Sequence, residues 1–137
     1  MLKIVKDVPA PEPQRPAEPG LVEFHCAACG IVLTDPLREL TDPDLLSEED
    51  AEPCIQQGYF FAEDDYVIIN VRDRQNVRRV KDEWRLQGCC GLDGMDGPNT
   101  ECINGHEVAS EHTDCWMPHS LTFAADKVTR HEVPPAA

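Results

Sequence analysis

Leu21-Val22-Glu23-Phe24-His25 alternates apolar and polar positions and runs straight into Cys26-Ala27-Ala28-Cys29-Gly30, after which Ile31-Val32-Leu33-Thr34 is apolar and β-branched. This pattern predicts strand, turn, strand. Gly58-Tyr59-Phe60-Phe61 and Tyr66-Val67-Ile68-Ile69-Asn70-Val71 read as two further strands, with Ala62-Glu63-Asp64-Asp65 as the turn between them. The second of these marks the centre of the core. Glu107-Val108-Ala109 predicts another strand, and Ser47 is placed to cap a short helix over Glu48 to Glu52, where acids suit the first turn. The fold class expected is therefore mainly β. Its core is thin, because aromatic content is 6% and the apolar runs are short, so a cross-link would help it.

Residues 8 to 20 hold Pro9, Pro11, Pro13, Pro16 and Pro19 among Ala, Glu and Gln, a composition that predicts an extended, solvated tail. Residues 1 to 20 are accordingly read as a Pro-rich flexible tail and 21 to 133 as one domain. The longest apolar run is far short of the roughly 20 residues of a membrane span, and the N-terminus lacks the apolar core of a signal peptide. A reducing, cytoplasmic location follows as the expectation. There, 7 cysteines, an odd number, point to metal ligands or reactive thiols before a disulfide framework.

Two segments concentrate those thiols. In Cys26-x-x-Cys29-Gly30 both sulfurs flank a tight turn and can share a tetrahedral ion, and Gly30 relieves the turn of a side chain. A redox C-x-x-C would open a helix, for which Ile31-Val32-Leu33-Thr34 is a poor start. The second segment, Gly88 to Trp116, holds Cys89, Cys90, Cys102 and Cys115 among Gly, Asp and Asn, which supply too little apolar area to order it. A Cys89–Cys90 disulfide would be strained, since neighbouring Cα atoms lie about 3.8 Å apart and disulfides need roughly 4.4 Å or more. In an extended segment the two side chains would also point to opposite sides, leaving one of them to ligate. Cys90-Gly91 repeats the Cys-Gly ending of the first motif. The expected set is thus Cys26, Cys29, Cys90 and Cys102 around a structural Zn²⁺, despite about 60 residues between Cys29 and Cys89 where ordinary ribbons have roughly 15 to 20. A rival set pairs Cys102 with His106 and Cys115 with His119, each at a spacing of four. Asp93, Asp96, Asn99 and Glu101 fit turns better than a calcium loop.

Cys26-x-x-Cys29-Gly30 with Leu33-Thr34-Asp35-Pro36-Leu37, then Gly88-Cys89-Cys90-Gly91-x-Asp93-Gly94-x-Asp96-Gly97-Pro98-Asn99-x-x-Cys102, Glu107-Val108-Ala109 and Asp114-Cys115-Trp116, resembles a family of small bacterial proteins with no assigned activity. The resemblance covers roughly residues 22 to 123 and implies a zinc-ribbon-like β domain with a long insertion. Relatives of that kind carry a second cysteine two positions after the one matched by Cys102, where this chain has Asn104. The substitution leaves Cys89, Cys90 or Cys115 to complete the site.

A net charge of −14 adds that partners should be neutral or basic proteins, with nucleic acid and anionic membrane repelled. Arg72, Arg74, Arg78, Arg79, Lys81 and Arg85, with Trp84 among them, form a basic stripe, but Asp73, Asp82 and Glu83 interleave it and predict internal charge pairing. Three functions fit the chain: a zinc-stabilised binding module, a thiol-based redox enzyme or sensor using Cys89 and Cys90, and an acidic inhibitor or immunity-type partner of a basic protein.

Overall fold

The computed structural model of the chain describes residues 20–134; the tail expected over residues 1–20 lies, Gly20 aside, outside them. Nine strands follow one another: β1 (Leu21–Cys26), β2 (Leu37–Glu39), β3 (Tyr59–Ala62), β4 (Tyr66–Ile69), β5 (Val77–Arg79), β6 (Thr100–Cys102), β7 (Glu107–His112), β8 (Ser120–Ala124) and β9 (Val128–Glu132). They form one curled sheet in the order β5-β6-β7-β8-β4-β3-β2-β1-β9. Every neighbouring pair is antiparallel except β2 with β3. Among the described residues helix is confined to four single 3₁₀ turns, and none is long and apolar enough to cross a membrane.

The mainly β expectation holds, and the strand-turn-strand of residues 59–69 sits where the pattern put it, with Phe60 opposite Ile69 and Phe61 opposite Ile68. Β-branched and aromatic residues with period-two burial explain β1 and β4, whose inward positions Val22, Phe24, Cys26, Val67 and Ile69 enter the main core. Tyr59-Phe60-Phe61 does not alternate because β3 is covered on both faces. Phe60 packs edge-on against Phe24 in the main core, centroids 5.0 Å apart, whereas Tyr59 and Phe61 join Leu40 and Ile55 in a second cluster on the other side.

Two expectations change. Residues 31–34 are not a full strand: His25 bridges Val32 and Thr34 bridges Arg74, because the Thr34 hydroxyl and the Leu33 amide turn back onto Phe24. No helix forms over residues 48–52. The Ser47 hydroxyl accepts only the Glu49 amide, and the 3₁₀ turn lies earlier, over Pro43–Leu45 with Asp42 as its cap. The stretch read as an insertion supplies β2 to β5 of the same sheet.

Candidate metal centre

Two short turns, 76 residues apart in sequence, meet because the sheet curls: one follows β1 and the other joins β6 to β7. In the first, the Gly30 amide donates to the Cys26 carbonyl and the Cys26 amide to the Ile31 carbonyl, both at 2.8 Å. In the second, the Gly105 amide donates to the Cys102 carbonyl and the Cys102 amide to the His106 carbonyl, also both at 2.8 Å. Each turn needs one residue in the left-handed region and supplies a glycine for it, Gly30 at φ 82° and Gly105 at φ 91°. The two turns are of one kind, the second a residue shorter, and each opens on a buried cysteine, Cys26 or Cys102. Their side chains converge on one point: Cys26, Cys29, Cys102 and His106 bring their ligand atoms within 4.8 Å of one another, and this group can hold a metal ion.

The spacings are those of a tetrahedral centre. An ion bonded to sulfur at about 2.3 Å and to nitrogen at about 2.1 Å sets sulfurs about 3.8 Å apart and sulfur from nitrogen about 3.6 Å. Here Cys29 Sγ lies 3.8 Å from Cys102 Sγ, and His106 Nδ1 lies 3.3 Å from Cys102 Sγ and 3.8 Å from Cys26 Sγ. Cys26 and Cys102 are buried in the main core, His106 is half-buried and Cys29 reaches solvent, so the centre joins the core to the surface. Burial pushes the Cys26 thiol up, partly offset by the Cys29 and Ala28 amides that face its sulfur. Cys29 goes the other way. The Asn104 amide, 3.3 Å away, and the Ile31 backbone N–H stabilise its thiolate and bring it down to about 6. Asn104 is thus a donor to one sulfur of the group that can hold an ion, and is not a member of that group. His25 braces the first turn, its Nδ1 donating to the Gly30 carbonyl at 3.0 Å. A groove of about 750 Å³ adjoins the centre, with Cys26, His106, Tyr66, Ser110 and Thr122 in its lining.

Of the expected ligands, Cys26, Cys29 and Cys102 come together, and His106 stands where Cys90 was expected. Cys90 belongs to a different group, with Cys89 and Cys115, all three exposed and with sulfurs within 4.8 Å of one another. The reason is Asp114. Its Oδ1 accepts the Cys90 and Cys115 amides at 3.0 and 2.8 Å, and its Oδ2 accepts the Cys89 amide at 3.0 Å and the Trp116 indole at 2.9 Å. These four donors hold its carboxyl well below the usual range and tie the 88–91 loop to the 114–116 turn. Gly91 is required there for space, since a Cβ would come 2.2 Å from the Thr113 carbonyl oxygen, so its place after Cys90 has nothing to do with a ligand turn. Cys89 and Cys90 also share a side, with sulfurs 3.8 Å apart, because the loop is bent and not extended. The Cys115 and Cys89 sulfurs beside it push the Cys90 thiol up to about 12.

Cys102 and His106 do pair, as the rival set had it. Cys115 and His119 do not; His119 Nε2 donates to the Asp114 carbonyl at 3.0 Å. The oxygen-rich residues serve the backbone: Asp93 accepts the Met95 amide, and fully buried Asn99 bonds both backbone groups of Glu111. Arg78, Arg79 and Arg85 pair with Glu101, Glu111 and Glu107. Set against protein-family models, curated proteins and solved structures, the chain finds no match.

Proposed function

We propose that the protein is a zinc-stabilised β module that acts by binding, with Cys26, Cys29, Cys102 and His106 holding a structural Zn²⁺. The observation that carries this is the tetrahedral spacing of three sulfurs and one imidazole nitrogen on two facing turns. Three thiolates with one imidazole are a donor set suited to zinc, and four protein ligands leave no open position for a reacting water. The ion's contribution is folding energy: it fastens the end of β1 to the end of β6, strands separated by five others in the sheet. Two facing turns of this kind are also what a zinc-ribbon-like site is built from. With a net charge of −14 the partner is a neutral or basic protein, and thiolate ligation suits a reducing cytoplasm.

Metal analysis of protein purified without added zinc tests the reading. It predicts zinc that is retained when Cys89, Cys90 and Cys115 are all changed to Ser, and loss of cooperative unfolding when a chelator removes it. Less than about 0.5 equivalent in that variant, with a fold indifferent to the chelator, would contradict it.

A further inference from the structure

Cys89, Cys90 and Cys115 form a second thiol group that the first centre does not use. The loop is built to hold it. One carboxylate, Asp114, fixes the backbone amides of all three cysteines at 2.8 to 3.0 Å. Both its oxygens are occupied by four donors in all, so it anchors the ligands and does not join them. Gly88 and Gly91 are sterically obligatory: a Cβ on Gly88 would lie 1.7 Å from the Gly91 carbonyl oxygen, and one on Gly91 would lie 2.2 Å from that of Thr113. A loop that only needed to turn would not have to bring three sulfurs to one side. Among the described residues no His, Asp or Glu joins the three, and all are exposed.

We infer that Cys89, Cys90 and Cys115 are an open three-thiolate site for a soft, thiophilic cation of the cuprous type. Three sulfurs about 2.3 Å from a central ion in a trigonal plane stand about 4.0 Å apart, which fits the observed 3.8 Å between Cys89 and Cys90 within a group spanning at most 4.8 Å. Thiolate ligands suit Cu(I), zinc and iron–sulfur clusters alike, and among these a shell of three sulfurs with no nitrogen, oxygen or fourth ligand suits Cu(I). Binding replaces three S–H bonds with three Cu–S bonds and releases the protons to solvent; copper stays cuprous throughout. Exposure makes the site exchangeable, in contrast to the half-closed first centre. The strongly acidic chain attracts cations to it.

The test uses the full chain as isolated, anaerobically, with cuprous ion delivered from a chelator of known affinity. One equivalent of Cu(I) is expected to bind without release of the metal already held. Residue-resolved alkylation with mass spectrometry should then show Cys89, Cys90 and Cys115 labelled at least about tenfold more slowly with copper than without, while Cys26, Cys29 and Cys102 are unchanged. The triple Ser variant should lose that equivalent and keep its melting temperature. The inference is overturned if no copper binds, if copper binds only by displacing metal from Cys26, Cys29 and Cys102, or if the three thiols alkylate at the same rate with and without it. Because labelling is read residue by residue on the unmutated chain, copper held by Cys89, Cys90 and Cys115 is distinguished from copper held by Cys26, Cys29 and Cys102.

Discussion

Asn104 and Asp114 are the two side chains through which this chain controls its thiols without contributing a ligand. Asn104 donates to Cys29, which is held at about 6 and is therefore largely thiolate at neutral pH before any ion arrives. Asn104→Ala removes the largest cause of that shift, so Cys29 rises toward its ordinary range and protons compete better with the metal. Zinc affinity should fall about 10- to 100-fold, and on acidification the metal should leave at a higher pH than in the wild type; competition titration at several pH values checks both. Asp114 works with the same sign of stabilisation with pH, because donors hold its carboxylate as they hold the Cys29 thiolate. Its folded-state pKa lies below the unfolded value, so its contribution is fully present above about 4 and is lost as pH falls through the folded value. Asp114→Asn should therefore lower the melting temperature at pH 7, with the gap to wild type closing in strong acid. It should also raise hydrogen exchange at the Cys89 and Cys90 amides by about tenfold or more. Neither role was legible in sequence. Asn104 reads as a missing cysteine, and Asp114 only as part of Asp114-Cys115-Trp116 with no role of its own, because a side chain that serves the amide of a residue 25 positions away leaves no local pattern.

At the scale of elements, what could be read was what burial writes into period-two patterns. Β1, β3, β4 and β7 were found from their apolar alternation or apolar runs. Β5 and β6 are not legible because they are three residues long and carry Arg78, Arg79 and Glu101, of which Arg78 and Glu101 form an ion pair across the two strands. Β8, Ser120–Ala124, is not among the strands expected, since only Leu121 and Phe123 alternate in it, a run too short to stand out by its period. His106, the fourth member of the candidate group, is visible as the fourth residue after Cys102, but Cys90-Gly91, a cysteine followed by glycine, points elsewhere. Gly105 does the corresponding work in the second turn, one position before the ligand and not after it. The turn glycines also differ in what a substitution would do. Gly91→Ala meets backbone, and we expect a loss of about 1–3 kcal/mol, read by denaturant unfolding. Gly97→Ala meets nothing within 4 Å and pays only for its φ of 89°, about 1 kcal/mol. Phe60→Ala empties the contact between β1 and β3 and should cost about 3–5 kcal/mol.

For the whole molecule, the centre and the main core are one structure, because Cys26 and Cys102 belong to both. The curl of the sheet brings β1 and β6 together, and an ion held between them would fix that curl. The chain without metal should therefore lose order first where β5 and β6 form the far edge of the sheet, with β3, β4 and β8 at its middle the last to open. Hydrogen exchange before and after chelation would show that gradient. The central claim is the identity of the four ligands, and X-ray absorption at the zinc edge of the purified protein tests it most directly, in the variant with Ser at positions 89, 90 and 115. The account predicts three sulfurs at about 2.3 Å and one nitrogen at about 2.0–2.1 Å, with the nitrogen lost in His106→Ala. A first shell of four sulfurs, or one dominated by oxygen, would contradict it.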